Sequence, residues 1–174
     1  MGKRIGIVGG GPAGLMAAEV LSARGHAVTV LEAMPTIGRK FLLAGKSGLN
    51  LTHSEPYDRF ATRFGAANER LRPALDGFTP EDVRVWAQDL GTETFVGTSG
   101  RVFPNVMKAS PLLRAWRARL EAHGVAIRVR HRWTGLAPGG RSVETPEGPR
   151  AMAFDAVLLA LGGARLARLG SDAG

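Results

Sequence analysis

A cluster of glycines set between two short apolar segments constrains this chain more than anything else in it. Residues 4–14 read Arg-Ile-Gly-Ile-Val-Gly-Gly-Gly-Pro-Ala-Gly, and Gly9, Gly11 and Gly14 fit G-x-G-x-x-G. Ile5 to Val8 is a β-branched run suited to a buried parallel strand. The first glycine lets the chain turn tightly. The second lets backbone approach a pyrophosphate, and the third lets helix pack closely on strand. A helix opening near Pro12, a residue at home in a first turn, aims its unpaired N–H groups and positive dipole end at that phosphate. Leu15, Ala18 and Leu21 give this helix one apolar face, and Gly25 closes it. Ala27 to Leu31 is then a second strand ending at Glu32, roughly 20 residues past the glycines. A carboxylate there accepts hydrogen bonds from both ribose hydroxyls of an adenosine and repels a 2′-phosphate. The stretch is read as an adenine-dinucleotide site that disfavours NADP.

The 174 residues suffice for one domain with a real core, and 44% apolar with 22% charged residues describes an ordinary globular chain. No apolar run approaches the ~20 residues of a membrane span, so no membrane association is expected. Cysteine is absent, which excludes disulfides, thiolate metal sites, cysteine nucleophiles and thioether flavin links within the chain. A cytoplasmic location is the expectation. The net charge of +8 raises nucleic acid as a partner, but arginine far outnumbers lysine amid abundant alanine and glycine. That pattern is read as compositional bias plus an anionic ligand, with no nucleic-acid partner.

Beyond Glu32, residues 33–40 read as a loop broken by Pro35 and turned at Gly38, with Arg39 and Lys40 placed to reach phosphate oxygens. Gly45-Lys46-Ser47 invites a P-loop reading that fails, because the required earlier glycine is Lys40 and no strand leads in. Residues 41–52 are instead read as a glycine-rich loop that lies against a flat ligand. Residues 54–77 are loosely helical. Thr79-Pro80-Glu81-Asp82 signals a helix start, with Val83, Trp86 and Leu90 as its apolar stripe and Gly91 as its stop. Thr92–Val96 and Arg101–Phe103 predict a hairpin around residues 97–100. A second helix is expected from Ser110-Pro111 to His123. Leu113, Trp116 and Leu120 face inward, and Arg114, Arg117 and Arg119 face solvent. Val125–Val129 is a strand that continues through His131 to Leu136, turns at residues 138–140 and pairs with residues 142–144 as a small ribbon. Phe154–Ala160 is a buried strand that ends at Gly162-Gly163 and brings bare backbone to the ligand edge. The four histidines share no metal-ligand spacing, so no metal site is expected and no catalytic residue can be assigned.

Taken together, residues 9–14, Glu32, residues 38–40 and the late Leu158-Leu-Ala-Leu-Gly-Gly163 resemble glutathione-reductase-type FAD-binding domains. More narrowly, the chain resembles bacterial NAD(P)/FAD-dependent, aminoacetone-oxidase-like flavoproteins. The matching segments are residues 38–45, 50–52, 100–104, 108–110 and 169–172. It departs from that family where Gly48-Leu49 precede Asn50. The resemblance implies an α/β, Rossmann-like FAD-binding domain over residues 1–174, with a parallel sheet, a helical segment and a small hairpin and ribbon. It also implies that substrate domain and C-terminal flavin segment lie outside the chain. FAD contacts then fall on Gly9, Gly11, Pro12, Ala13, Gly14, Glu32, Ala33, Gly38, Arg39, Lys40, Gly45, Asn50, Leu51, Thr52, Trp133, Ala160, Leu161 and Gly162.

The function expected is an FAD-binding oxidoreductase of unassigned substrate, with NAD(P)H a candidate electron donor. Two alternatives use the same βαβ unit: an NAD-binding dehydrogenase, and a non-catalytic cofactor-binding remnant. Arg39, Lys40 and the glycine-rich loop favour the longer flavin dinucleotide. With the C-terminal flavin segment outside the chain, the isolated chain is expected to lose flavin easily, and residues 157–161, as an open apolar edge, to let it self-associate.

Overall fold

Strand β1 (Arg4–Val8) buries Ile5, Gly6, Ile7 and Val8 in succession, the mark of a strand covered on both faces. A computed structural model describes residues 2–137 and 140–163. It divides into two compact units, Met1–Phe41 with Arg117–Gly174, and Leu42–Trp116.

In the first unit β1 lies inside a four-stranded parallel sheet of order β10-β1-β2-β6, with β2 at Ala27–Glu32, β6 at Ala126–Val129 and β10 at Ala156–Leu159. Helix α1 (Pro12–Ala23) buries Gly14, Leu15 and Ala18, as its apolar spacing requires, and its chain exits through Gly25 at φ +79°. Ile7, Val30 and Leu31 are almost fully enclosed between these elements. Helix α6 (Ala109–Ala122) adds Leu120 to this core from its later turns. Arg119, expected in solvent, instead donates to Glu19 Oε1 at 3.0 Å and ties α6 to α1.

Two strand expectations are corrected here. The strand after Val125 does not run on through Leu136. Arg130 takes a left-handed conformation (φ +57°), which turns the chain out of the parallel sheet. A separate antiparallel sheet follows, made of β7 (Arg132–Ala137), β8 (Gly140–Thr145) and β9 (Gly148–Met152). β9 escaped notice because it shows no apolar alternation and carries Pro149, which its edge position tolerates. The second correction is β10. Its apolar run suggested full burial, but it is an edge strand with Leu158 37% and Leu159 53% exposed. The edge position agrees with the open apolar edge expected over residues 157–161; the full burial expected of the same run does not hold. Of the expected turn at residues 138–140, Pro138 and Gly139 lie outside the described residues, as does the segment 169–172.

β10 is fastened to β1 at its start. Arg4 N–H donates to Asp155 Oδ2 at 2.7 Å, and its guanidinium donates to Oδ1 at 3.2 Å. The backbone bond first, and the guanidinium bond next, hold the Asp155 carboxyl below its usual value. The contribution of this clasp is therefore complete above about pH 4 and is lost as pH falls through the lowered native value. We expect β10 amide protection to weaken on acidification across that window, and Asp155→Asn to be weaker at neutral pH but flat across it. Equal acid sensitivity in both proteins would place the transition elsewhere.

In the second unit β4 (Thr94–Val96) and β5 (Arg101–Pro104) form the expected hairpin. β3 (Thr52–His53), too short to leave a pattern, pairs antiparallel with β5. Residues 39–44, split between two expected loops, form helix α2 (Arg39–Ala44). Helices α3 (Tyr57–Phe60) and α4 (Asn68–Gly77) flank a 3-10 turn at Gly65–Ala67. α5 (Pro80–Asp89) opens on a capping box in which Thr79 and Asp82 each satisfy the other's backbone N–H. Trp86, expected in the core, is half-buried and meets the buried Trp116 edge to face at 4.8 Å.

Candidate functional site

The carboxyl ends of β1 and β2 and the start of α1 converge on the glycine loop. Gly9 N–H donates to Leu31 O at 2.8 Å, which brings the loop across from β1 to the end of β2. Gly9 sits at φ +112°, and a Cβ there would lie 2.3 Å from Ala160 O. A Cβ on Gly14 would lie 1.9 Å from Gly9 O, so helix and loop touch backbone to backbone. Gly11 differs from both. Its backbone is ordinary extended chain (φ −82°), it caps α1 with no side-chain bond, and a Cβ would meet no atom within 4 Å. The first-turn N–H groups of α1 thus face open space in front of Gly11.

Glu32 stands at the centre of this arrangement. Its Oε2 accepts from Gly10 N–H at 2.9 Å, and its Oε1 accepts from Met34 N–H at 2.8 Å. One carboxylate thereby fixes the glycine loop to the end of β2 and shapes the turn that follows. Each oxygen keeps a further lone pair for a ligand hydroxyl. Gly38 completes the clasp, donating its N–H to Gly10 O at 2.8 Å.

A cavity of about 640 Å³ opens here, within the ~300–1,000 Å³ range of small-molecule sites. Of the residues expected to touch a dinucleotide, Gly9, Gly11, Pro12, Ala13, Glu32, Ala33, Arg39, Lys40, Trp133, Ala160, Leu161 and Gly162 line it. Gly14 and Gly38 do not, and act from behind by packing and by holding Gly10. Gly45, Asn50, Leu51 and Thr52 belong to the second unit and are not among the lining residues. There Gly45 has a local reason to be glycine, since a Cβ would fall 2.5 Å from that of Ala109. Leu51 N–H pairs with Val102 O, and Thr52 lies in β3. The sequence reading missed Val8, Gly10, Leu31, His131, Arg132, Thr134 and Gly135 as lining residues. Gly10 could have been found, because the middle residue of G-x-G is where Glu32 must bond. Around Trp133, which was expected, His131, Arg132, Thr134 and Gly135 could not be found, since five lining residues in a row obey no strand or helix period.

Several polar groups at this cavity bear on what fits it. Lys40 Nζ donates to Gly163 O at 3.2 Å, joining the start of α2 to the segment after β10. Arg39 Nη1 reaches Thr36 Oγ1 at 3.4 Å, while its Nε is buried without a partner. Trp133 Nε1 is likewise buried and unpaired. His131 Nδ1 lies 2.8 Å from Val129 O, so it carries the proton and donates to that carbonyl. The site therefore combines an anion cradle at α1, an acceptor carboxylate at Glu32 and unpaired donors on Arg39 and Trp133. That donor set suits a ligand bearing phosphates, a diol and further acceptors, as FAD does. Among the described residues no cluster of His, Cys, Asp or Glu could hold a metal ion, and no helix is long and apolar enough to cross a membrane.

Comparison with known proteins gives three kinds of likeness. A family model described as HI0933-like protein Rossmann domain matches residues 3–174. The multifunctional alkene reductase/demethylase OYE of Caballeronia cordobensis is 62% identical over 42 residues, which are 24% of this chain and 6% of that protein. Among solved structures, 3-ketosteroid-delta4-(5alpha)-dehydrogenase from Rhodococcus jostii RHA1 matches with a TM-score of 0.67 at 18% identity, over 92% of this chain and 46% of its own. THI4 of Thermovibrio ammonificans matches with a TM-score of 0.56 at 18% identity, over 92% and 57%. At such identities the structures share the fold. The chain spans about half of either one, and a small fraction of the reductase/demethylase.

Proposed function

The chain belongs to the HI0933-like protein Rossmann domain family, and from that premise we propose that it is the FAD-binding part of a flavoprotein oxidoreductase. The observation that carries this reading is the Glu32 clasp. One carboxylate holds the glycine loop in register at a cavity with open space in front of Gly11. The dinucleotide would lie across the carboxyl ends of the parallel strands, as ligands do in open α/β sheets. Its pyrophosphate would face Gly11, Pro12 and Ala13 at the start of α1, and its adenosine ribose would meet Glu32 and Ala33. Arg39 and Lys40 would approach phosphate or ribityl oxygens, and Ala160, Leu161 and Gly162 would flank the path beyond β1. Bound FAD supplies two-electron redox chemistry at its ring. The protein's part is to bind, to orient and to exclude a 2′-phosphate at Glu32.

The finer placement among aminoacetone-oxidase-like flavoproteins rests on the resemblance of residues 38–45, 50–52 and 100–104. The same resemblance assigns Gly45, Asn50, Leu51 and Thr52 to the flavin ring, and it alone suggests NAD(P)H as electron donor.

The charge pair at the start of α2 offers a direct test. Replacing Arg39 and Lys40 together with glutamine is expected to weaken FAD binding about tenfold or more and to flatten its dependence on salt. Titrations at low and high ionic strength measure both effects. The same salt dependence in parent and double variant would return the two cations to the solvated surface and remove them from the site.

A further inference from the structure

Resting on the dinucleotide reading, we propose that Trp133 recognises the base, its indole N–H donating to a ring-nitrogen acceptor of adenine. The first support is position. In the sheet order β10-β1-β2-β6 the glycine loop follows β1 and Glu32 ends β2. A ligand with pyrophosphate at α1 and ribose at Glu32 continues away from β1, toward the end of β6. There Arg130 N–H donates to Met34 O at 3.1 Å and His131 N–H to Glu32 O at 2.9 Å, so β7 begins against the ribose end of the cavity. The part of the ligand that reaches β7 is the base.

The second support is the shape of β7. A regular strand would turn alternate residues toward the cavity. Here His131 through Gly135 line it without a break. Pairing with β8 slips between Trp133 and Gly135, and Gly135 lies at φ +141°. This is a bulge, the device by which a strand re-aims its side chains. Thr134 Oγ1 is pinned to Ser142 Oγ at 2.9 Å, which fixes the bulged residue to the neighbouring strand. Trp133 is thereby kept at the cavity wall.

The third support is the indole nitrogen itself. It is a donor only, it is shut off from water, and no protein acceptor pairs with it. A buried donor left unmade is unfavourable, and an acceptor on the ligand relieves it. On adenine the ring nitrogens accept, whereas the exocyclic amine donates and cannot serve. The indole must turn toward the cavity as the base enters, exchanging an unpaired N–H for a bonded one.

The experiment titrates the chain calorimetrically with ADP and with its 1-, 3- and 7-deaza analogues, each lacking one ring acceptor, in wild type and in Trp133→Phe. Wild type should lose about two- to tenfold in affinity for one of the three analogues. Trp133→Phe should bind ADP weaker by a similar factor and show no further loss with that analogue. Three analogues bound alike by wild type overturn the proposal. So does a selective loss that persists undiminished in Trp133→Phe, which would leave the indole a packing role only. Equal ADP affinity in wild type and variant removes Trp133 from base recognition while the dinucleotide reading stands. A wild type that binds no ADP overturns both.

Discussion

Gly11→Val is expected to remove dinucleotide binding from a chain that still folds, whereas Gly14→Ala is expected to damage the fold itself. The contrast follows from what each new side chain would meet. Gly11 has an extended backbone that any residue adopts, and open space where its Cβ would be. Valine there costs the fold about 1 kcal/mol through a poorer helix cap. It also fills the space through which phosphate must approach the α1 N–H groups. A loss of about a hundredfold or more in FAD affinity, roughly 3 kcal/mol, is expected. At Gly14 the added carbon would stand 1.9 Å from Gly9 O, and backbone on both sides must move. Overpacking of this kind costs about 1–3 kcal/mol or more. Thermal melts and FAD titrations of the two variants separate the roles. Normal FAD affinity in Gly11→Val would show that the motif is not the phosphate site.

Glu32→Ala carries the second large effect, and it has two parts. Gly10 is buried, and its N–H loses its acceptor, so stability should fall by about 1–3 kcal/mol. Met34 N–H loses its partner as well, and the turn toward Gly38 loosens with it. The ligand loses a charge-assisted acceptor for its ribose hydroxyls, about 1.5–3 kcal/mol, or roughly ten- to a hundredfold in affinity. Titration well below the melting temperature, where the variant is folded, isolates this second part. A destabilised variant with parental FAD affinity would leave Glu32 as a clasp alone. Retained discrimination against a 2′-phosphorylated ligand in that variant would assign the selection elsewhere.

Why the glycine loop could be read from sequence, and the cavity wall at residues 131–135 only at Trp133, has a physical reason. Gly9, Gly11, Gly14 and Glu32 answer to constraints carried by nearby chain: a turn, a helix start, a backbone contact and a strand end. Each leaves its mark on residue type at a fixed spacing. The capping box at Thr79 and the helix stop at Gly91 are legible for the same reason. The wall at residues 131–135 depends on a bulge in the pairing with β8; the pairing itself was legible as a ribbon with residues 142–144, but the slip in its register was not. Arg130 could not be foreseen as a turning point, because a left-handed arginine is imposed by the chain on either side of it. Helix α2 was hidden because its six residues are too few to show a period. β10 was recognised as a strand, and its place at the sheet edge agrees with the open apolar edge expected over residues 157–161, although its apolar run alone suggested burial.

The central claim is that the Glu32-clasped glycine loop holds the adenosine diphosphate portion of FAD. Equilibrium titration of the chain with FAD, with ADP, FMN and 2′-phosphoadenosine diphosphate as competitors, tests it most directly. The account predicts saturable FAD binding that ADP displaces, that FMN does not displace, and that the 2′-phosphorylated competitor displaces only at far higher concentration. Displacement by FMN with indifference to ADP, or no saturable FAD binding at all, would contradict it.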